Sequence, residues 1–295
     1  MLPQLWWIGC VGEPDGLGRP NRLAVGADAV YVSDFQHDRI VQMRPDGTFV
    51  RSFGTRGLGR DQLWRVTAMV VSRDGALLVA NRRPESDAED SAVVLEIKRF
   101  EDGVETSSVD LGGKVLQDDA WIDAIAEMPD DHWLIADSSH GELMVVQEGR
   151  LVGRFGGIPR PDAAPTALVG DGTLFWEVEQ MRHRITPLDA HGKELPFTPS
   201  ADGGELRFPT GIGVCAEQGW IAVADFGNLR VVRYTTEGAW LGSFAPVPVA
   251  PDRPVQLLDL AVSPDCTRIY LVDSKGDRVL VTDPEGAVLG QLSGW

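Results

Sequence analysis

The 295-residue chain has only three cysteines, Cys10, Cys215 and Cys266. They are odd in number, far apart and in no CxxC arrangement, which argues against a disulfide framework or a zinc ribbon and for a reducing compartment. Cys215, inside an apolar strand, reads as a small buried thiol. No stretch approaches the roughly 18 apolar residues that a spanning helix needs. The first residues, MLPQLWWIGCVGEPDG, have no basic n-region and no long apolar run. A secretory signal is therefore not expected, and the cytoplasm is the expected location. Positive charge is also scarce, with 27 Lys and Arg against 44 Asp and Glu for a net charge of −17. Such a surface repels polyanions, so nucleic acid is not an expected partner. The one small basic cluster is Met181-Arg182-His183-Arg184. Nucleophile elbow, phosphate loop and dinucleotide fingerprint are all missing in their required contexts.

What the chain does have is repetition, over an apolar content of 43%, ample for a core. An apolar run, a short turn and a second apolar run lead to an acid or its amide, and a third apolar run follows. The clearest copies are RPNRLAVGADAVYVSDFQHDRIVQMRPDGTFVRSFG at 19–54 and FPTGIGVCAEQGWIAVADFGNLRVVRYTTEGAWLGSF at 208–244. The acid position holds Asp34, Asn81, Asp137, Glu179, Asp225 and Asp273, separated by 47, 56, 42, 46 and 48 residues. A period of roughly 40–50 residues with several short strands in each is the mark of propeller blades. One all-β domain over 1–295 is expected, a six-bladed β-propeller of four-stranded antiparallel blades. The blades fall at 19–54, 65–111, 121–156, 165–197, 208–244 and 257–292. In the first, strands a to d cover 23–25, 30–33, 40–43 and 48–53. Arg44-Pro45-Asp46-Gly47 makes the c–d hairpin, because proline fixes φ and Asp-Gly supports a tight turn. Asp283-Pro284-Glu285-Gly286, Thr236-Glu237-Gly238 and Glu148-Gly149 repeat it. Phe53, Phe155 and Phe244 end the d strands with a ring suited to closing the gap to the next blade.

The pattern P-x-G-I-A-V, then Y-V-A-D-x-x-N-x-R-I, then D-G-x-x-L-x-x-F-G resembles the NHL repeat family of six-bladed propellers. Residues 208–244 and 19–54 carry it best. Residues 66–111 are stretched, and 165–197 keep Glu179 and Arg184 but little else. In that family an N-terminal strand often completes the last blade. Here PQLWWIG at 3–9 and Ala287–Leu292 both resemble a d strand, so one is surplus. The alternatives are closure by either end with the other strand spare, or a five-stranded last blade. Residues 82–92 (RRPESDAEDSA) read as a long charged b–c loop, expected to be a mobile protrusion.

Candidate chemistry comes in four groups. The pairs Asp34/Arg39, Glu179/Arg184, Asp225/Arg230 and Asp273/Arg278 bracket the b–c turns, and their repetition reads as structural. His37, His140 and His183 fall in three different b–c turns. The NHL family includes a peptide-amidating lyase with a three-histidine zinc site, but rim positions on separate blades cannot share one ion. At the family's glycine level near the axis, alignment places Arg22, Thr67, Asp123, Ala167, Gly211 and Asp259. Gluconolactonase-like propellers hold a divalent ion there with Glu, Asn and Asp. Asn21 with Asp123 or Asp259 imitates part of that set, and no Glu completes it. Finally Trp6, Trp7, Trp240 and Trp295 lie in or beside d strands as candidate partner anchors.

The reading is a non-catalytic scaffold for protein–protein interaction within a larger assembly, with no cofactor and no metal. The alternative is a metal-dependent hydrolase or lyase, lactonase-like or lyase-like, acting at the channel mouth through Asp123, Asp259 and Arg22 with a divalent ion.

Overall fold

The computed structural model describes residues 6–9, 16–89, 91–112, 116, 119–155, 160, 162–170, 174–246 and 255–293, with Trp6–Gly9 described as backbone only. It is a six-bladed β-propeller. β1 is Trp6–Gly9. The first blade is β2 (Pro20–Val25), β3 (Val30–Asp34), β4 (Arg39–Met43) and β5 (Phe49–Phe53). The second is β6 (Val66–Val71), β7 (Leu77–Pro84), β8 (Val93–Glu101) and β9 (Val104–Asp110). The third is β10 (Ile122–Glu127), β11 (His132–Asp137), β12 (Glu142–Gln147) and β13 (Arg150–Phe155). The fourth has three strands, β14 (Pro165–Gly170), β15 (Leu174–Glu179) and β16 (Arg184–Asp189). The fifth is β17 (Pro209–Cys215), β18 (Trp220–Asp225), β19 (Arg230–Thr235) and β20 (Trp240–Phe244). The sixth is β21 (Leu257–Val262), β22 (Ile269–Asp273), β23 (Arg278–Thr282) and β24 (Val288–Ser293). Helix is confined to single 3₁₀ turns such as Gln180–Arg182, and among the described residues no helix is long and apolar enough to cross a membrane.

The chain divides into two compact units, Met1–Ser52 with Phe197–Trp295, and Phe53–Pro196. In the first, Leu23, Val32, Val41, Tyr270 and Val272 pack the first blade against the sixth, and Cys215, Ala222, Leu260 and Leu271 pack the fifth against the sixth. In the second, Leu78, Ile97, Ile125 and Met144 join the second and third blades, while Ala136, Leu143, Phe175 and Leu188 join the third and fourth. Alternate residues of the inner strands face these seams, so each blade buries both of its faces only against neighbours. The terminal rings act as expected. Phe53 meets Phe100 at 5.2 Å between ring centres and Phe155 meets Phe175 edge-on at 5.6 Å, while Phe244 lies so close to Gly286 that a Cβ there would collide with it.

The hairpins follow the sequence chemistry. Gly47, Gly149, Gly238 and Gly286 all take positive φ, the conformation these turns require. Asp46 Oδ1 accepts the Thr48 amide at 2.8 Å, which holds its carboxyl below the usual range.

Two expectations change, and one choice that the sequence left open is decided. Residues 82–92 are not one long loop, because β7 and β8 extend their ladder, pairing Arg82 with Leu95, Arg83 with Val94 and Pro84 with Val93. The Glu85 amide then donates to the Ala92 carbonyl at 2.7 Å. The Val93-Val94-Leu95 run supplies the β-branched partners that carry the charged 82–84 segment into the sheet. The surplus strand resolves as a five-stranded sheet in the order β1-β24-β23-β22-β21, with β1 added parallel to β24 through Trp6↔Gly290 to Gly9↔Ser293. Cys215 is not a thiol. It bonds Cys266 across the seam between the fifth and sixth blades, with Cα atoms 5.4 Å apart. Linear spacing hid the pair, since 51 residues separate two positions that packing brings together.

Candidate functional site

The acid position closes strand b in five blades, while in the second β7 runs on past Asn81 to Pro84, and all six of its side chains are buried. A buried carboxylate must be matched by several donors. Asp34 Oδ1 accepts the Gly18 amide at 3.1 Å, and its other oxygen takes Arg39 Nε at 3.0 Å and lies 2.8 Å from His37 Nδ1. Asp225 accepts the Arg207 amide, Arg230 Nε and Asn228 Nδ2, each at 2.7 Å. Asp273 accepts the Gln256 amide at 2.9 Å and Arg278 Nε at 3.0 Å. Each therefore ties the chain entering strand a to the far end of strand b, 16 to 18 residues on.

The other three vary the theme. Asp137 accepts the Trp121 amide at 3.1 Å, and His140 Nδ1 at 2.7 Å replaces the missing arginine. That hydrogen bond holds the His140 pKa above its ordinary value. Glu179, one carbon longer, takes Arg184 at 2.8 Å, Arg182 at 3.0 Å and the Thr186 hydroxyl at 2.5 Å. Asn81 Oδ1 accepts the amides of Trp64 at 2.9 Å and Arg65 at 3.2 Å, and its Nδ2 donates to Glu96. His37 and His140 both turn to their own blade's carboxylate, while His183 takes a left-handed φ of 57° after the 3₁₀ turn. Among the described residues no group of three or more His, Cys, Asp or Glu is placed to hold a metal ion.

The axial level differs from the alignment. Every a–b ladder carries a bulge after its first residue, and beyond it the residue facing the strand-b position before the acid is Arg22, Ala68, Ala124, Ala167, Gly211 or Asp259. Thr67 and Asp123 are one place off, in the bulge, with Asn21, Thr166, Thr210 and Leu258. The a–b turns differ in length between blades, so this level lies one residue nearer the acid in the second and third blades than the alignment placed it. Asp259 holds the first blade to the sixth, Oδ2 accepting the Leu23 amide and Oδ1 the Leu260 amide, each at 2.9 Å. Asp123 Oδ1 accepts the indole N–H of Trp121 at 3.1 Å.

At the outer edges, β1 covers β24. In the fifth blade β20 is the last strand of its sheet, with Trp240 42% and Leu241 43% exposed. Trp6 and Trp7 lie in β1, and Trp295 lies outside the described residues.

The sequence reading missed the fourth blade's polar interior. Glu177 is fully buried at a strand-b place where the other blades have Val32, Val79, Ile135, Val223 and Leu271. Arg160 reaches in with two bonds to it, at 2.7 and 2.8 Å, and lies 3.5 Å from Glu179. Burial pushes Glu177 up to about 7 against the downward pull of Arg160. The signal was visible as a charged residue inside an otherwise apolar strand; its partner stands in a linker that no periodicity marks.

No family model matches the sequence, and no curated protein is similar to it. Solved structures are similar in fold. A streptogramin B lyase superposes with a TM-score of 0.61 at 14% identity over 96% of this chain and 84% of that one. Hydrazine synthase of Kuenenia stuttgartiensis gives 0.59 at 13% identity over 93% and 98%. The periplasmic gluconolactonase PpgL of Pseudomonas aeruginosa gives 0.55 at 16% identity over 91% and 83%. At such identities the likeness establishes the propeller fold alone, since one fold hosts many activities.

Proposed function

We propose that this propeller, of the NHL-repeat kind, is a non-catalytic interaction module that takes an extended segment of a protein partner along β20. The observation that carries the reading is the contrast between two outer edges. The edge of β24 is occupied by β1, an added strand within the same chain, whereas β20 ends its sheet with Trp240 and Leu241 exposed side by side. An open edge with an aromatic anchor suits strand addition, in which backbone bonds give affinity and side-chain pockets give choice.

The alternative, a metal-dependent hydrolase or lyase using Asp123, Asp259 and Arg22, would follow the neighbours named as a lyase and a gluconolactonase. Both oxygens of Asp259 already accept backbone amides, and Asp123 stands off the level of the other two. The cytoplasmic location expected from the cysteine count also loses its support, because two of the three cysteines are paired.

Native mass spectrometry on the chain purified from its own host, with elemental analysis, tests the reading. The expected result is a metal-free complex with another protein that Trp240→Arg dissolves while the fold persists. One tightly held divalent ion per chain, or a complex indifferent to Trp240→Arg, would overturn it.

A further inference from the structure

The second blade carries a concentration of positive charge that the rest of this acidic chain does not prepare for. A cleft of about 340 Å³ lies between the strand ends bearing Trp64, Arg65, Arg82 and Arg83 and the loop residues 84–89. Backbone and rings hold the arginines in place. The Arg82 amide donates to the Arg65 carbonyl at 2.9 Å. The Arg65 and Arg82 guanidiniums stand 5.6 and 5.1 Å from the centre of the Trp121 ring, and Arg56 lies 4.0 Å over Trp64. A guanidinium laid on an indole face keeps its N–H edge available for in-plane bonding.

Arg82 differs from several other buried or half-buried arginines of the described residues. Arg39, Arg160, Arg230 and Arg278 each meet a carboxylate. Arg83, beside it, bonds Glu96 Oε1 at 3.1 Å. Among the described residues the Arg82 guanidinium makes no ion pair and no hydrogen bond, and its Nε is fully buried. Burial and the charge of Arg65 both lower its proton affinity. The acids of the cleft, Asp87 and Glu89, stand on the exposed loop, while the three arginines are half-buried.

The acid position explains how this is achieved. Five blades have a carboxylate there; the second has Asn81. The amide oxygen of Asn81 anchors the amides of Trp64 and Arg65 as a carboxylate would, yet adds no negative charge at the root of the arginines. The carboxylate of this corner is Glu96 instead, which accepts Asn81 Nδ2 at 2.8 Å and is matched by Arg83 and Lys98, so its charge is already taken up.

We propose that this cleft binds a small oxyanion, the carboxylate or phosphate group of a soluble ligand, on the guanidinium of Arg82. The site is independent of the β20 edge and stands or falls without it. A planar guanidinium fork matches either group, and exclusion of water on the Trp121 side strengthens the contact.

The test is calorimetric titration of the whole purified chain with inorganic phosphate in one arm and succinate in the other, at low and moderate salt. Saturable binding of at least one anion is expected, weaker at higher salt. Arg82→Met should weaken it by about tenfold or more, the size of a lost charge-assisted bond. Arg82→Lys is the second variant. It keeps the charge but loses the planar fork, so it should fold normally and bind the anion more weakly than the wild type. The arm that binds distinguishes phosphate from carboxylate. No saturable binding of either anion to the wild-type chain would overturn the proposal, as would binding that survives both substitutions.

Discussion

The fourth and fifth blades are built from the same repeat and solve its core in opposite ways. Strand b of the fifth, WIAVAD, is buried from end to end, with charge only at its last residue. Strand b of the fourth, LFWEVE, puts Glu177 where the fifth has Val223. The fifth has four strands and a covalent bond to its neighbour; the fourth has three strands and an ion network of Arg160, Glu177, Glu179, Arg184 and Glu194. Where the sheet lacks an outer strand, charged side chains fill the place of apolar packing. Such pairs hold a structure together only while both partners remain, since an unpaired buried charge is costly.

Breaking the network gives the largest expected effect. Arg160→Met leaves Glu177 buried and alone, and should cost roughly 3–5 kcal/mol in urea unfolding. Adding Glu177→Leu to it restores the fifth-blade pattern and should recover most of that loss. Failure to recover would mean that the missing strand, not the charge, separates the two blades. On the other side, Cys215→Ser removes a bond that closes a 51-residue separation, and should cost about 2–4 kcal/mol, reproduced by adding reductant to the wild type. Asp225→Ala strands the Arg207 amide and the Arg230 guanidinium and should cost roughly 1–3 kcal/mol, read from the same unfolding curves.

The last effect is a slope with pH. Folded Glu177 keeps its proton up to about 7, while the unfolded chain releases it near the ordinary value of 4.5. The folded state binds more protons between these values, so this residue's contribution to stability falls as pH rises from about 4.5 to about 7. Glu177→Gln should flatten that part of the difference between mutant and wild-type unfolding free energies. An unchanged slope would assign the titration elsewhere.

The blades were legible because their signals are local. Hairpins such as Arg44-Pro45-Asp46-Gly47 and the acid at or near the end of strand b depend on residues a few places apart. The axial level was misplaced at Thr67 and Asp123 because a turn one residue shorter moves a bulge without leaving a mark in apolar periodicity. The Cys215–Cys266 bond and the Arg160–Glu177 pair are contacts between segments that only packing brings together. In the candidate sites, Trp240 could be singled out from its place in a d strand, but the openness of its edge could not. Arg82 was absorbed into a loop because its charged neighbours disguised a ladder, although Asn81 was visible as the one neutral residue at the acid position.

The parallel pairing of β1 with β24 sets a timetable for synthesis. Trp6 emerges from the ribosome early, yet its partner Gly290 is nearly the whole chain away. At about 5–20 residues per second, β1 waits on the order of tens of seconds for its place. During that wait an aromatic strand lacks its native partner, and the edge of β20 is complete before β24 exists. A nascent chain therefore passes through a stage at which its own first strand and its own open edge are both present, and the order of translation decides which pairing is offered first.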